Sequence, residues 1–188
     1  MSTQPQTYLT PEEYLAVERK AEYKSEYVDG VMYAMSGATF KHNVIVANVI
    51  IELGQQLKGR PCRALPSDIK VRVPDSRKYF YPDVSVVCGE PQFQDERADV
   101  ILNPTLIVEV LSESTAAFDR GEKFQAYQQL AALQEYLLIS QDKILVEQYV
   151  RQAREKWTYM AVVGLEGSLA LPSVECTLSL GAVSDKTD

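Results

Sequence analysis

Apolar residues recur along this chain at two spacings, and the spacings predict its elements. Val46, Val49, Ile50, Leu53 and Leu57 fall at helical intervals between Thr39, a good N-cap, and Gly59, so a core-facing helix is expected there. An earlier helix is marked by Thr10 followed by Pro11, Glu12 and Glu13, a capped start with proline at the first helical position; it should run to about Lys20. Asp29-Gly30 lies between two short β-type runs and predicts a two-residue hairpin, because that turn needs positive φ at both positions. Runs at 62–65, 68–73, 83–87, 106–111, 135–140, 144–150 and 157–163 read as strands, with a weaker one at 169–171. Ser114-Thr115 opens a further helix reaching roughly Leu130. Helix, hairpin, helix, strands, helix, strands is the order of an α/β chain of the α+β kind, with a central mixed β-sheet flanked by helices.

Composition narrows the class. The 188 residues are 46% hydrophobic and 24% charged, enough for one core, so residues 1–188 are expected to form one domain with its ordered part at about 8–183. No run is apolar enough for a signal peptide or a membrane span, which predicts a cytoplasmic protein with no membrane partner. Cys62, Cys88 and Cys176 are odd in number and never in a Cys-x-x-Cys pair, so all three are expected as reduced, mostly buried thiols. A net charge of -7 argues against coating nucleic acid by overall attraction, and any such contact must be local.

One position breaks the pattern. Glu109 stands inside Leu106-Ile-Val-Glu-Val-Leu111, a run otherwise fit for a buried strand. An unpaired carboxylate buried there costs several kcal/mol, so a cation or an opening to water is expected beside it; a plain buried salt bridge would also serve. Asp83, after Tyr81-Pro82 at the start of another strand, is a second carboxylate in a similar setting. Two acids on neighbouring strands suit phosphodiester hydrolysis, since hard oxygen ligands hold Mg²⁺ while leaving room for water and a phosphate oxygen. Asp119, Lys123 and Tyr127 share a helix stripe at four-residue spacing, which lets Lys123 point back at the Glu109 strand; the alternative is a solvated lysine paired with Asp119.

Glu26-Tyr-Val-Asp-Gly30, His42 opening a helix, Tyr81-Pro-Asp83, Val108-Glu109-Val-Leu-Ser112, the Asp119, Lys123, Tyr127 series and Glu135-Tyr-Leu-Leu together carry a resemblance. In that order, over roughly residues 8 to 150, the chain resembles the Uma-type restriction-endonuclease family of the PD-(D/E)XK nuclease superfamily. The resemblance implies a restriction-endonuclease-like core in which Asp83 and Glu109 ligate Mg²⁺ or Mn²⁺ and the backbone carbonyl of Val110 is a third ligand. It also implies that Glu26 is an additional acid from the first hairpin. The chain departs from the superfamily pattern at Leu111, where the acid-x-lysine motif has its lysine. The resemblance implies a migrated lysine, with Lys123 at the matching position.

Five further candidates come from the residues themselves. His42, the only histidine, sits in the first turn of its helix, where it could meet a substrate phosphate, a site carboxylate or simply the sheet. Asp68, Lys70 and Arg72 alternate with Ile69, Val71 and Val73; their polar face is a solvated one or, if it borders the cleft, a source of phosphate contacts. The eleven tyrosines fall mostly in β-type runs and on helix stripes, as packing residues, and Tyr127 is singled out only for sharing the Lys123 stripe. The expected protein is a metal-dependent endonuclease acting on nucleic acid, double-stranded DNA in particular, as a homodimer. The alternatives are a nuclease-like interaction module without catalysis, suggested by Leu111, and a hydrolase of another phosphate ester.

Overall fold

The computed structural model describes residues 8–74 and 76–187. The first helix, α1 (Pro11–Glu18), begins with a full capping box: Thr10 accepts from the Glu13 N–H and Glu13 accepts from the Thr10 N–H. The hairpin follows, β1 (Ser25–Val28) and β2 (Val31–Ala34), with φ of 48° at Asp29 and 101° at Gly30, the two positive values its turn requires. Next comes α2 (Phe40–Leu57), capped by the Thr39 hydroxyl. It buries Ile45, Val49, Leu53 and Leu57, with Val46 and Ile50 half-buried beside them, so the apolar stripe is centred about one residue away from the expected one. Each such buried side chain contributes roughly 1.5–3 kcal/mol.

Five strands follow α2: β3 (Cys62–Pro66), β4 (Lys70–Val73), β5 (Lys78–Phe80), β6 (Val84–Cys88) and β7 (Val100–Ile101). Then comes β8 (Leu106–Leu111), buried along its whole length. A helical run returns the chain as α3 (Ala116–Phe118), a π-helical turn (Asp119–Lys123) and α4 (Phe124–Tyr127). The remainder is β9 (Glu135–Ser140), β10 (Leu145–Ala153), β11 (Lys156–Val163), β12 (Ser168–Leu171), β13 (Cys176–Ser179) and α5 (Leu180–Val183).

The strands form a six-stranded sheet in the order β11-β10-β9-β8-β6-β3 and a five-stranded sheet in the order β2-β1-β5-β4-β7, with β12 and β13 paired by themselves. The larger sheet is mixed: β8 and β9 run parallel, joined by the α3 to α4 crossover, and its other neighbours are antiparallel. Its side chains alternate between two cores. Leu106, Val108 and Val110 face α2, β12, β13 and α5, whereas Ile107 and Leu111 face α4. Glu109 lies between Ile107 and Leu111 on the α4 face, and Lys123 comes to it from there.

Three points differ from expectation. The hairpin belongs to the second sheet, to which the short β5 and β7 also contribute; runs of two or three residues carry too little alternation to be read. β13 alternates cleanly in burial, yet its Thr177 and Ser179 dilute the apolar signal. Finally, Cys62 and Cys88 are not free thiols: they face each other on β3 and β6 and form a disulfide, leaving Cys176 as the free cysteine. The two cysteines are far apart in sequence and meet only through strand register. No described helix is long and apolar enough to cross a membrane.

Candidate active site

The ladder between β6 and β8 stops at the Val84–Val108 pair. Beyond it the strands part, and the Asp83 carboxylate enters the gap: its Oδ2 accepts the Val110 N–H at 2.7 Å. The N–H and carbonyl of one residue point to the same side of a strand, so the Val110 carbonyl also faces the edge that β6 has left. Asp83 Oδ1 accepts from His42 Nε2 at 3.0 Å, which ties the first turn of α2 to the same carboxylate. The Asp83 N–H in turn reaches Glu109 Oε2 at 3.4 Å.

Glu109 is 3% exposed. Its Oε1 accepts from the Tyr127 hydroxyl and from Lys123 Nζ, both at 3.0 Å. Burial pushes its carboxyl well above the ordinary range; Lys123 opposes this, and Asp119, Asp83 and Glu26 add to it. Burial by itself would lower the Lys123 ammonium, but attraction to Glu109, Glu26 and Asp119 outweighs it and holds the amine protonated. Lys123 Nζ is 2.9 Å from Glu26 Oε1, an oxygen that also accepts the Tyr81 N–H, and 3.6 Å from Asp119 Oδ1. Burial likewise raises Asp119, with Lys123 opposing.

The π-helical turn helps to aim this stripe. In an α-helix four residues overshoot one turn, whereas in a wider π turn they fall short, so the two offsets cancel from Asp119 through Lys123 to Tyr127. All three side chains are buried toward β8. Leu111, in the place of the motif lysine, packs into the α4-side core with Phe80 and Tyr127. The ammonium therefore reaches Glu109 from the helix instead of from two residues along its own strand.

Of the groups described, Glu26, His42, Asp83, Glu109, Val110, Asp119 and Lys123 line one cleft of about 600 Å³, with residues 33–39 also along its wall. Its walls carry Glu26, Asp83, Glu109, Asp119 and Glu122 against the single lysine Lys123. Among the described residues no three His, Cys, Asp or Glu side chains converge as a ready-made metal centre. The donor set is two carboxylates with a backbone carbonyl on the same edge. That set fits a hard cation such as Mg²⁺, which keeps several waters and uses one or two protein carboxylates.

The structure thus brings Asp83, Glu109, Lys123, Glu26, Val110, His42 and Tyr127 together, and leaves three candidates outside. Asp68 is exposed and pairs with Lys24. Lys70 is buried against Asp99 and the Tyr81 hydroxyl, and Arg72 lies over the Tyr79 ring. The alternation at 68–73 identified a strand with two faces but not which face bordered the cleft. Two cleft residues were missed as site members. Asp119 stands on the Lys123 stripe in the sequence, but its spacing assigns it no role of its own in the site. Tyr81, whose N–H holds Glu26 and whose hydroxyl donates to Glu18, gave no sequence signal beyond its place before Pro82-Asp83.

The chain matches the Uma2 family, described as "Putative restriction endonuclease", over residues 11–181. It is 38% identical over 156 residues to the Synechocystis sp. protein sll1609, covering 83% of this chain and 88% of that one. With slr1290 of the same organism it shares 39% identity over 149 residues, 79% of this chain and 77% of the other. Its fold superposes with a TM-score of 0.78 on the crystal structure of a "putative nuclease belonging to DUF820" from Anabaena variabilis, at 19% identity, covering 96% of this chain and 99% of that one.

Proposed function

The chain belongs to the Uma2 restriction-endonuclease family, and from that premise we propose that it is a divalent-metal-dependent endonuclease that hydrolyses phosphodiester bonds in double-stranded DNA as a homodimer. The observation that carries the reading is the placement of Lys123. A lysine from a separate helix turns its ammonium onto Glu109 at 3.0 Å, beside an aspartate that fills a gap in the sheet. Five acids line the cleft with one lysine, an excess of oxygen donors that suits a bound cation.

Asp83, Glu109 and the Val110 carbonyl would hold Mg²⁺ or Mn²⁺. When bound, the ion supplies a Lewis acid for a phosphate oxygen and lowers the pKa of a water. The remaining work falls to the chain. His42 orients Asp83 through Oδ1 and the Val110 N–H fixes Oδ2, so this carboxylate is held from two sides. Tyr127, kept neutral because burial first and the Glu109 charge second raise its phenol, donates to Glu109 and sets its rotamer. Lys123 stays protonated and sits where it can offset charge developing on the phosphoryl group. Glu26 holds the ammonium from the hairpin side.

The same geometry weighs against the non-catalytic module suggested by Leu111, because the missing ammonium is supplied from α4's side of the sheet. The test is supercoiled plasmid incubated with the purified protein and Mg²⁺ or Mn²⁺. Nicking or linearisation that chelator stops and Asp83→Ala removes is the expected result. No cleavage of any DNA with either metal would defeat the reading.

A further inference from the structure

The two edges of the six-stranded sheet are built differently. At one end β3 is five residues long, carries Arg63 and ends on Pro66, features that blunt a strand edge. At the other end β11 runs for eight residues, and from Trp157 to Val163 it has neither a charge nor a proline. Most of it is exposed on both faces: Tyr159, Met160 and Val163 are 54%, 48% and 73% accessible. Monomeric proteins seldom leave so long and apolar an edge open.

Register shows which backbone groups are free. Gly164 donates its N–H to the Ile144 carbonyl, and β10 pairs with β11 so that Leu145 faces Val163 and Gln148 faces Met160. Even-numbered residues of β11 therefore turn their backbone groups toward β10, and Trp157, Tyr159, Ala161 and Val163 turn theirs outward. On the side-chain faces, Val162 packs on the α2-side core and Trp157 on Phe124.

We propose that β11 pairs antiparallel with β11 of a second copy of this chain across a two-fold axis at Met160, joining the two six-stranded sheets. This register sets Trp157 opposite Val163 and Tyr159 opposite Ala161 in each direction, so all four outward-facing residues exchange both backbone hydrogen bonds. Shifting the axis by one residue either way leaves at least one of them unpaired. The contact is isologous, as a closed dimer requires. Charge agrees with it: Arg154 and Lys156 flank Glu155 at the start of β11 and Glu166 follows its end, so antiparallel pairing brings a net positive end to an acidic one twice. Met160 meets its own copy as a non-hydrogen-bonded pair, the closer of the two antiparallel spacings. Cys62 and Cys88 already bridge two neighbouring antiparallel strands of this sheet.

This inference names the contact of the homodimer in the reading above, but it does not involve the cleft. Sedimentation of the full chain is expected to give twice the monomer mass. Ala161→Pro, which removes an outward donor and none of the β10 ladder, and Met160→Lys, which sets two like charges face to face, are each expected to give monomers with unchanged circular dichroism. Met160→Cys under mild oxidation is expected to cross-link into a dimer. Thr158→Cys alone should not cross-link, whereas Thr158→Cys mixed with Val162→Cys should. A monomeric wild-type chain, or a dimer that survives both disrupting variants and never links through position 160, overturns the proposal. Cleavage by a monomer would overturn the dimer alone, and a β11 dimer that cuts nothing would overturn the nuclease alone.

Discussion

Two ionic clusters lie on either side of Tyr81, and they differ in their balance of charge. In the first, Lys123 stands alone among Glu26, Glu109 and Asp119, with Asp83 alongside. In the second, Arg19 holds Asp95 at 2.7 Å and Asp99 at 2.6 Å while Lys70 reaches Asp99 at 3.1 Å, two cations ion-paired with two acids, and the neighbouring Glu18 is held by the Tyr81 hydroxyl and the Ser25 N–H. The balanced cluster stitches α1 to the five-stranded sheet and asks for nothing more. The unbalanced one gathers like charges at a cost, and such an arrangement persists when a ligand relieves it.

Substitutions should separate the two. The largest expected effect is on activity at the first cluster: Glu109→Gln or Lys123→Met should lower plasmid cleavage by roughly 10²–10³-fold, as loss of a group that stabilises developing charge does. Glu109→Gln should leave the melting temperature unchanged or raised, since it removes one of several crowded acids. Lys70→Met should do the reverse. It removes one of the two cations on Asp99, with Arg19 remaining, and should cost about 2 kcal/mol in denaturant unfolding, with cleavage retained. A loss of cleavage in Lys70→Met equal to that in Glu109→Gln would erase the distinction.

A smaller effect tests the support of Glu109. Tyr127→Phe deletes the hydroxyl that donates to Glu109 Oε1 and should cost about 1–2 kcal/mol of stability, together with a modest loss of activity. The smallest effect concerns pH. Hydrogen bonding from Arg19 first, opposed by burial and helped by Lys70, lowers Asp99 from 3.8 to about 2. A carboxylate depressed in the folded state stabilises it above the unfolded value, and that contribution is lost as pH falls from 3.8 through about 2. Acid titration of Asp99→Asn should therefore show a flatter loss of stability across that interval than the wild-type chain.

Much of the six-stranded sheet was legible because its strands are long or strongly apolar, and Glu109 stood out against that background. Its paired acid, its lysine and the hairpin acid Glu26 were legible by order along the chain. What escaped depends on meetings distant in sequence: Cys62 with Cys88, Lys70 with Asp99 instead of with the cleft, and a second sheet assembled from runs of two to four residues. The π-helical turn is another such case. Spacing alone placed Asp119, Lys123 and Tyr127 on one stripe, but no residue pattern announced that a widened turn would straighten it.

The central claim is that the unbalanced cluster takes up a divalent cation through Asp83 and Glu109. Calorimetric titration of Mn²⁺ into the wild-type chain, Glu109→Gln and Lys70→Met tests it most directly. Saturable binding in the wild-type chain and in Lys70→Met, abolished in Glu109→Gln, is the predicted result. Equal binding by all three, or binding by none, would contradict it.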